Sequence, residues 1–447
     1  MKNVVDIITM GCSKNLVDSE HLIFQLSQIG YEAYSNPEEI HGGIAVVNTC
    51  GFIEQAKEES INMILELCEA KKEGRLERVY VMGCLSQRYR RQLEEEIPQV
   101  DKFFGKFDWK SMISLLKQNN RQRALTTCSA GTEKDILSGG GRVVTTPHHY
   151  AYIKISEGCD RRCAYCAIPL ITGHQVSRTI EDISAEVETL AKSGVKEFQI
   201  IAQDSTSYGT DIYGKKALPE LIESLAEING VEWIRVHYAY PNNFPMRLLK
   251  VMREHPNVCK YLDIALQHID DKVLQKMHRN ITGTETRDLI RAIREEVPGI
   301  ALRTTMMVGF PGESEAAFNR LMDFVEEARF EHLGTFAYSE EEGTYAALHY
   351  KDSIAEHTKQ DRLDRVMELQ QRISEEICES RVGNILRVII DRQEGGYFIG
   401  RTQFDSPEVD GEVLIEASKM PEIKIGEFYD VKVTSSNEYD LIAEPTN

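Results

Sequence analysis

The sequence predicts an α/β protein in three parts: an N-terminal parallel α/β domain, a central partial (open) α/β barrel, and a small C-terminal antiparallel β-barrel. Two long stretches alternate apolar runs with amphipathic helical patterns, which is typical of parallel strands joined by crossover helices. The last stretch holds short strand patterns separated by Gly and Asn, as small closed barrels do. A chain of 447 residues is also long enough for more than one hydrophobic core.

The N-terminal domain is predicted from three buried strands, each followed by a helix. The strand patterns cover residues 4–10, 44–48 and 78–82, and the helical patterns cover residues 16–29, 54–71 and 87–96. A turn-rich stretch interrupts the series at Ser138-Gly139-Gly140-Gly141, ahead of Pro147. We therefore predict one domain over residues 1–137 and a linker over residues 138–150.

The central barrel is predicted over residues 151–378 from a second alternating series. Its strand patterns cover residues 152–156, 197–202, 233–237, 261–266, 302–308 and 332–336, with helical patterns between them, for example at 183–193 and 315–328. Six strands are fewer than the eight of a closed α/β barrel, so we expect a partial one. A long charged helix at about 359–379 ends this series. Strand patterns at 384–390, 396–401, 411–415 and 429–434 then predict the C-terminal barrel over residues 379–447.

The composition narrows the class of protein. The sequence has no apolar run long enough to cross a bilayer and begins without the pattern of a signal peptide, which favours a location in the cytoplasm. Thiols stay reduced there, so we expect the ten cysteines to be ligands or buried thiols rather than disulfides. The formal net charge of −19 argues against a broad nucleic-acid surface and suits a basic partner, although an acidic charge can also serve solubility alone.

Three cysteines form a C-x3-C-x2-C motif directly after the first predicted barrel strand: Cys159, Cys163 and Cys166. Three thiolates in one loop can each bind one iron of a [4Fe–4S] cluster and leave the fourth iron open. That iron can bind S-adenosylmethionine (SAM) and pass it one electron, which releases a 5′-deoxyadenosyl radical. A structural zinc site would need four closed ligands, and no fourth Cys or His lies nearby in the sequence.

Cys12, Cys50 and Cys84 each follow one of the three predicted N-terminal strands. Because the carboxyl ends of parallel strands meet at one edge of a sheet, we expect these thiols to converge. Three convergent thiolates predict a second [4Fe–4S] cluster. The alternative is three unrelated small buried cysteines at strand ends.

With these residues in view, the chain resembles the methylthiotransferase family from end to end. That family joins an N-terminal three-cysteine domain, a partial barrel of the radical SAM type and a C-terminal TRAM barrel. The resemblance implies two [4Fe–4S] clusters and SAM as cofactors. It also implies that one cluster activates a carbon of the substrate, while the auxiliary cluster helps to deliver sulfur that a further SAM methylates.

Four segments resemble the branch of the family that acts on a small-subunit ribosomal protein rather than on tRNA. They are residues 157–169 with 176–178, 202–209, 303–305 with 308–313, and 336–344. The resemblance implies methylthiolation of the β-carbon of an aspartate in small-subunit ribosomal protein twelve. Thr172-Gly173 departs from the Arg-Gly of most members, which puts any local role of that Arg in doubt.

We also expect three contacts with SAM and one further partner. Tyr165 is expected behind the adenine, and Gln203 and Arg303 are expected near polar groups of SAM. The role of Arg303 is a hypothesis from its place on the fifth barrel strand and from the match between a guanidinium and a carboxylate. Cleavage of SAM needs an electron, so an electron donor protein is expected as well.

The charge of the C-terminal barrel favours the same branch on physical grounds. Its acidic residues are Asp391, Glu394, Asp405, Glu408, Asp410, Glu412, Glu416, Glu422, Glu427, Asp430, Glu438, Asp440 and Glu444. They outnumber its basic residues, which are Arg381, Arg387, Arg392, Arg401, Lys419, Lys424 and Lys432. Such a barrel would repel tRNA and attract a basic ribosomal protein. The alternatives are an acidic face without a partner, a tRNA adenosine methylthiotransferase, and an iron–sulfur electron-transfer or scaffold protein.

Overall fold

A computed structural model of the chain describes residues 3–120, 141–419 and 422–446. The chain forms two compact units. Unit 1 comprises Met1–Thr145, Tyr152–Arg161 and Cys166–Glu186, and unit 2 comprises Thr146–Ala151, Arg162–Tyr165 and Val187–Asn447. The predicted domain boundaries at residues 137, 150 and 378 stay predictions, and residues 121–140, which include the start of the predicted linker, lie outside the described residues.

Eighteen strands lie in the described residues. In chain order they are β1 (Val4–Thr9), β2 (Glu32–Ser35), β3 (Ile44–Thr49), β4 (Arg78–Gly83), β5 (Lys102–Phe103), β6 (Tyr150–Lys154), β7 (Ser156–Glu157), β8 (Val176–Ser177), β9 (Glu197–Ile201), β10 (Trp233–Ala239), β11 (Val258–Ile264), β12 (Ala301–Val308), β13 (His332–Ala337), β14 (Ile385–Glu394), β15 (Tyr397–Thr402), β16 (Val413–Glu416), β17 (Phe428–Ser436) and β18 (Leu441–Pro445).

The same residues form fourteen α-helices. They are α1 (Ser13–Gln28), α2 (Glu54–Lys72), α3 (Cys84–Glu96), α4 (Trp109–Asn120), α5 (Ile168–Thr172), α6 (Ile180–Lys192), α7 (Thr210–Tyr213), α8 (Leu218–Ala226), α9 (Arg247–Glu254), α10 (Asp271–Lys276), α11 (Gly283–Glu296), α12 (Glu315–Ala328), α13 (Tyr345–His349) and α14 (Glu356–Ser380). None of the helices described is long and apolar enough to span a membrane.

The N-terminal sheet of unit 1 has the order β2-β1-β3-β4-β5, and its neighbouring strands are parallel. Alternate residues of β3 face opposite sides: Ala45 and Val47 pack with α2 and α3, whereas Val46 packs with α1 and α4. Helices therefore cover both faces, which is why the central strands are apolar throughout. The carboxyl ends of β1, β3 and β4 lie side by side at one edge of this sheet.

The large sheet has the order β13-β12-β11-β10-β9-β6. The pairs between β9 and β13 are parallel. Its six strands and the helices between them match the predicted partial barrel. After β6, the short strands β7 and β8 pair antiparallel within unit 1 and enclose the segment that carries the C-x3-C-x2-C motif.

The C-terminal strands close into a barrel in the order β14-β15-β16-β18-β17. Four of the five pairings are antiparallel, whereas β16 and β18 pair parallel. The predicted small barrel is therefore present and mainly antiparallel. Strand β18, which the sequence patterns did not predict, closes it by its parallel pairing with β16.

Buried ion pairs join this barrel to the large sheet within unit 2. Glu197 of β9 accepts hydrogen bonds from Arg235 of β10 and from Arg401 of β15, and all three side chains have an exposed fraction of 2% or less. At the amino end of β12, Arg303 pairs with Asp410, which also accepts a hydrogen bond of 2.8 Å from the Tyr261 hydroxyl. The charges of Glu197, Arg235 and Arg401 satisfy one another away from water.

Candidate active site

The structure places Cys12, Cys50 and Cys84 at the carboxyl ends of adjacent parallel strands, as predicted. Cys12 is the residue before α1, Cys50 directly follows β3, and Cys84 is the first residue of α3 after β4. Cys50 and Cys84 are buried, and Cys12 is exposed. The sheet therefore brings the three thiols to one edge with one of them open to solvent.

Two glycines let these cysteine segments approach each other. A Cβ atom on Gly11 would lie 2.6 Å from the Cβ of Cys50 and 2.9 Å from its Sγ, and Gly11 has a φ of +88°. A Cβ atom on Gly51 would lie 2.9 Å from the carbonyl carbon of Cys84. A larger side chain at either position would push the segments apart, so the glycines keep the three cysteines close.

Asn15 holds the same three segments together, and sequence reasoning did not identify it. Its side-chain amide donates to the backbone oxygens of Met10 and Thr49, at 3.0 Å each. Its Oδ1 lies 3.7 Å from the Cys84 Sγ, within reach of the thiol as donor. One buried side chain thus contacts residues beside or within all three cysteine positions.

The surroundings of Cys50 and Cys84 oppose the ionisation of these two thiols. Burial raises the pKa of the Cys84 thiol to about 12, and the thiols of Cys12 and Cys50 add to that shift. Burial also raises the pKa of Cys50, with a further contribution from Cys12. A cysteine binds a metal as its thiolate. A bound cation or cluster would therefore have to stabilise the negative charge that burial disfavours here.

A buried group of four charged residues lies next to this edge, all of them in unit 1. The Nζ of Lys106 is 3.1 Å from Asp18 and 3.4 Å from Glu157, and Lys154 pairs with the same two carboxylates. Burial alone would lower the pKa of Lys106, but Asp18 and Glu157 raise it well above its usual value. The four residues tie α1, which begins after Cys12, to the strand that precedes Cys159.

The segment with the second motif begins at a backbone contact that only glycine tolerates. Gly158 has a φ of +76°, and a Cβ atom there would lie 2.0 Å from the carbonyl oxygen of His174. The N–H of Cys159 donates to the oxygen of Gly173 at 3.1 Å. Thr172 is buried and donates its hydroxyl to the backbone oxygen of Ile168 at 3.0 Å. The bond from Cys159 to Gly173 holds the two ends of the segment together.

Cys159 and Cys166 belong to unit 1, Cys163 belongs to unit 2, and all three are partly exposed. Within unit 1, Cys84 packs in a buried cluster with Ala167 and Ile171, which directly follow Cys166. The third cysteine of the N-terminal sheet therefore contacts the segment that carries the second motif.

Within unit 2, Cys163 lies beside a buried arginine that sequence reasoning also missed. The Nη1 of Arg279 is 3.4 Å from the Cys163 Sγ and 3.3 Å from the Tyr165 hydroxyl oxygen. Tyr240 covers the guanidinium at 4.0 Å and places its own hydroxyl 3.9 Å from the same Sγ. No sequence motif indicated Arg279, because Cys163 and Tyr165 lie more than one hundred residues before it in the chain.

The three predicted SAM contacts are not all at one end of the barrel strands. Tyr165 packs edge-on against Phe310, with ring centres 6.3 Å apart, and Gln203 lies two residues past the carboxyl end of β9. Arg303 is the third residue of β12, near its amino end, where it pairs with Asp410. The role of Arg303 in binding SAM stays a prediction.

Among the described residues, no three His, Cys, Asp or Glu side chains surround one point as ligands of a single metal ion. A [4Fe–4S] cluster makes a different demand, because each thiolate binds its own iron. The six cysteines of the two segments form a thiol-rich donor set, and thiolates are the ligands that such clusters take.

Three family models match three successive parts of the chain. The description "Uncharacterized protein family UPF0004" matches residues 4–105, the "Radical SAM superfamily" matches residues 153–325, and the "TRAM domain" matches residues 382–445. A protein of Phocaeicola vulgatus named "Ribosomal protein uS12 methylthiotransferase RimO" is 57% identical over 99% of both chains. The chain belongs to the RimO family of radical SAM methylthiotransferases.

Membership of the RimO family extends over the full length. The relative of the same name from Parabacteroides distasonis is 55% identical over 100% of both chains. Among solved structures, the radical S-adenosylmethionine methyltransferase TsrM of Kitasatospora setae, whose structure holds cobalamin and a [4Fe–4S] cluster, matches with a TM-score of 0.57. At 17% identity over 78% of this chain and 74% of that one, this likeness concerns the fold alone.

Proposed function

We propose that this protein methylthiolates an aspartate of the ribosomal protein uS12, replacing a C–H bond on the β-carbon with C–SCH3. The observation that carries the proposal is the buried contact of Cys84 with Ala167 and Ile171. It sets the cysteines of the N-terminal sheet against the segment of the radical motif. Such a reaction brings a sulfur source to a carbon radical. This contact would place the N-terminal cysteines beside the segment that follows the radical motif.

The residues fit two [4Fe–4S] clusters. Cys12, Cys50 and Cys84 would hold the auxiliary cluster, in a pocket kept open by Gly11 and braced by Asn15. The other three, Cys159, Cys163 and Cys166, would hold the radical cluster. Each set supplies three thiols, so one iron in each cluster would stay open to a non-protein ligand.

When bound, such a cluster and SAM supply the one-electron chemistry that generates a carbon-centred radical. The side chains of this chain have other tasks. Tyr165 and Gln203 would contact SAM, since Tyr165 lies in the motif and Gln203 at the carboxyl end of a barrel strand. Strand ends of this kind are where α/β barrels place their ligands. An electron donor protein remains the proposed partner for the electron, and the cytoplasm stays the predicted location.

The proposed substrate suits part of the acidic C-terminal barrel. Asp391 and Asp405 lie in buried ion pairs, and the Asp410 side chain is fully buried, so these carboxylates are unavailable to a partner. Glu422, Asp430 and Glu438 are exposed. These exposed carboxylates would attract a basic ribosomal protein before it docks.

Two other functions make different predictions. A tRNA adenosine methylthiotransferase would need a basic surface for phosphates, whereas this chain has a formal net charge of −19 and relatives named for uS12. An electron-transfer or scaffold protein would hold clusters without cleaving SAM. We therefore retain the uS12 methylthiotransferase as the proposed function.

The test is a reaction with purified components. Anaerobically reconstituted enzyme, SAM, a reductant and uS12 should yield 5′-deoxyadenosine and a methylthio group on one aspartate, read by mass spectrometry of peptides. The variant C159A/C163A/C166A is the control and should yield neither product. Formation of 5′-deoxyadenosine with a thiomethylated tRNA base and unmodified uS12 would contradict the proposal.

A further inference from the structure

Arg279 is a charged residue enclosed by unit 2, in the turn between α10 and α11. Its exposed fraction is 2%. The guanidinium donates to the Cys163 Sγ at 3.4 Å, to the Tyr165 hydroxyl oxygen at 3.3 Å and to the backbone oxygen of Ala265. The side chain is therefore fixed from several directions and aimed at the motif.

A second set of contacts, made with Tyr240, holds Arg279 in place. The backbone oxygen of Arg279 accepts a hydrogen bond of 3.0 Å from the Tyr240 hydroxyl, and the Tyr240 ring lies 4.0 Å from the guanidinium. The aromatic face favours the cation, and the hydroxyl fixes the turn. A long side chain with this many contacts keeps one orientation.

The guanidinium lacks an anionic partner of the usual kind. Across the described parts of the chain, none of the ion pairs includes Arg279, whereas the buried Arg235, Arg362 and Arg401 each pair with a carboxylate. Its Nε has no hydrogen-bond partner either. A buried cation without a counter-charge is strongly disfavoured, so the fold points to an anion at this place.

We propose that Arg279 is the counter-charge of the radical cluster, donating an N–H to the sulfur of Cys163 and stabilising the reduced form. The inference rests on the proposed function, because it takes Cys163 as a ligand. Hydrogen bonds to ligand sulfurs and nearby charge set the reduction potentials of iron–sulfur clusters. A fixed cation favours the form with one more negative charge and so raises the potential.

The electron step balances without a proton. One electron comes from an external donor, the cluster gains it, and Arg279 keeps its charge throughout because a guanidinium does not deprotonate in proteins. Arg279 is thus a positioning and charge-tuning residue. Lys in its place would keep the charge but lose the planar fork that reaches both Cys163 and Tyr165.

The experiment is an anaerobic redox titration of the full-length, reconstituted holoenzyme, followed by electron paramagnetic resonance. The signal of the radical cluster is assigned with the full-length C12A/C50A/C84A variant, which should retain that cluster alone. Wild type, R279K and R279M are compared, with iron and sulfide measured in each. R329M is the matched control, since Arg329 is exposed and pairs with Glu376 away from the motif.

We expect the midpoint potential of the radical cluster to shift to more negative values in the order wild type, R279K, R279M, with R329M equal to wild type. The signal of the auxiliary cluster should not shift in these variants. Equal potentials in loaded wild type and R279M would overturn the inference. If R279M does not hold the cluster, equal potentials in wild type and R279K overturn it in the same way. A wild-type chain that binds no cluster would instead overturn the proposed function.

Discussion

At the scale of single residues, the N-terminal thiols lie in a pocket that suits a metal cluster better than free cysteines. Burial raises the pKa of Cys50 and Cys84, so neither would ionise readily near neutral pH without a cation. Asn15 and Gly11 hold the segments that carry these cysteines close to one another. The three cysteines lie at the carboxyl ends of parallel strands, where open α/β sheets bind their ligands.

Removing either set of cysteines should remove one cluster. Wild-type enzyme should bind about eight irons per chain after anaerobic reconstitution, and C12A/C50A/C84A or C159A/C163A/C166A should bind about four. Iron and sulfide analysis with absorption spectra makes the measurement. The control is C68A/C259A/C378A, whose cysteines are buried and lie outside both sets, and it should retain the wild-type content. Wild-type iron content in either of the first two variants would rule out the two-cluster assignment.

At the scale of elements, hydrophobic patterns predicted the buried strands but not the weaker ones. The predicted strand at 44–48 and helix at 315–328 agree with β3 and α12, because β3 is an almost continuous buried apolar run and α12 buries one face at helical spacing. Strand β2, with the sequence EAYS, was missed because it lies at the sheet edge and has little apolar character. The cysteine positions followed from the strand ends, whereas Asn15 and Arg279 needed contacts that no local pattern contains.

Strand β9 illustrates a stabilising role that only the structure could identify. Glu197→Gln removes the charge that faces both Arg235 and Arg401, leaving the buried Arg235 without its carboxylate while Arg401 keeps Asp391. We expect the free energy of unfolding to fall by about 3 kcal/mol, since a broken buried ion pair leaves an uncompensated charge. Denaturant unfolding of the reconstituted enzyme, followed by circular dichroism, makes the measurement.

Glu427→Gln is the matched control for this prediction. Glu427 pairs with Lys196, the neighbour of Glu197 in the chain, but the Glu427 side chain is half exposed. Its loss should change stability much less, because surface pairs contribute little. Equal effects of the two substitutions would mean that the Glu197 network does not stabilise the junction between β9 and the C-terminal barrel.

At the scale of the whole molecule, the formal net charge is −19, but some of the carboxylates that contribute to it are buried and others are exposed. The prediction from the sequence assumed that every acidic residue of the C-terminal barrel attracts a basic partner. The structure assigns Asp391, Asp405 and Asp410 to buried contacts, so a variant that reverses Asp410 would break the fold rather than probe docking. The carboxylates that remain for a partner are the exposed ones.

Reversing exposed carboxylates of the C-terminal barrel should slow the encounter with uS12. In E422K/D430K/E438K, we expect slower modification of uS12 at low salt, a smaller salt dependence, and unchanged SAM cleavage without substrate. The control E227K/E295K/D323K makes the same change in net charge on exposed residues beside the large sheet. Wild-type rates in the first variant would leave the acidic barrel as a solubilising surface, and faster modification of tRNA would favour the tRNA alternative.

The most direct test of the proposed function is the mass of uS12 from cells with and without this gene. With the gene, one aspartate of uS12 should carry the added mass of a methylthio group in place of hydrogen, and the C159A/C163A/C166A gene should not restore it. The methylthio groups of tRNA adenosines, measured in the same cells, should not change. Unmodified uS12 in both strains, together with a tRNA methylthio group that depends on the gene, would contradict the account.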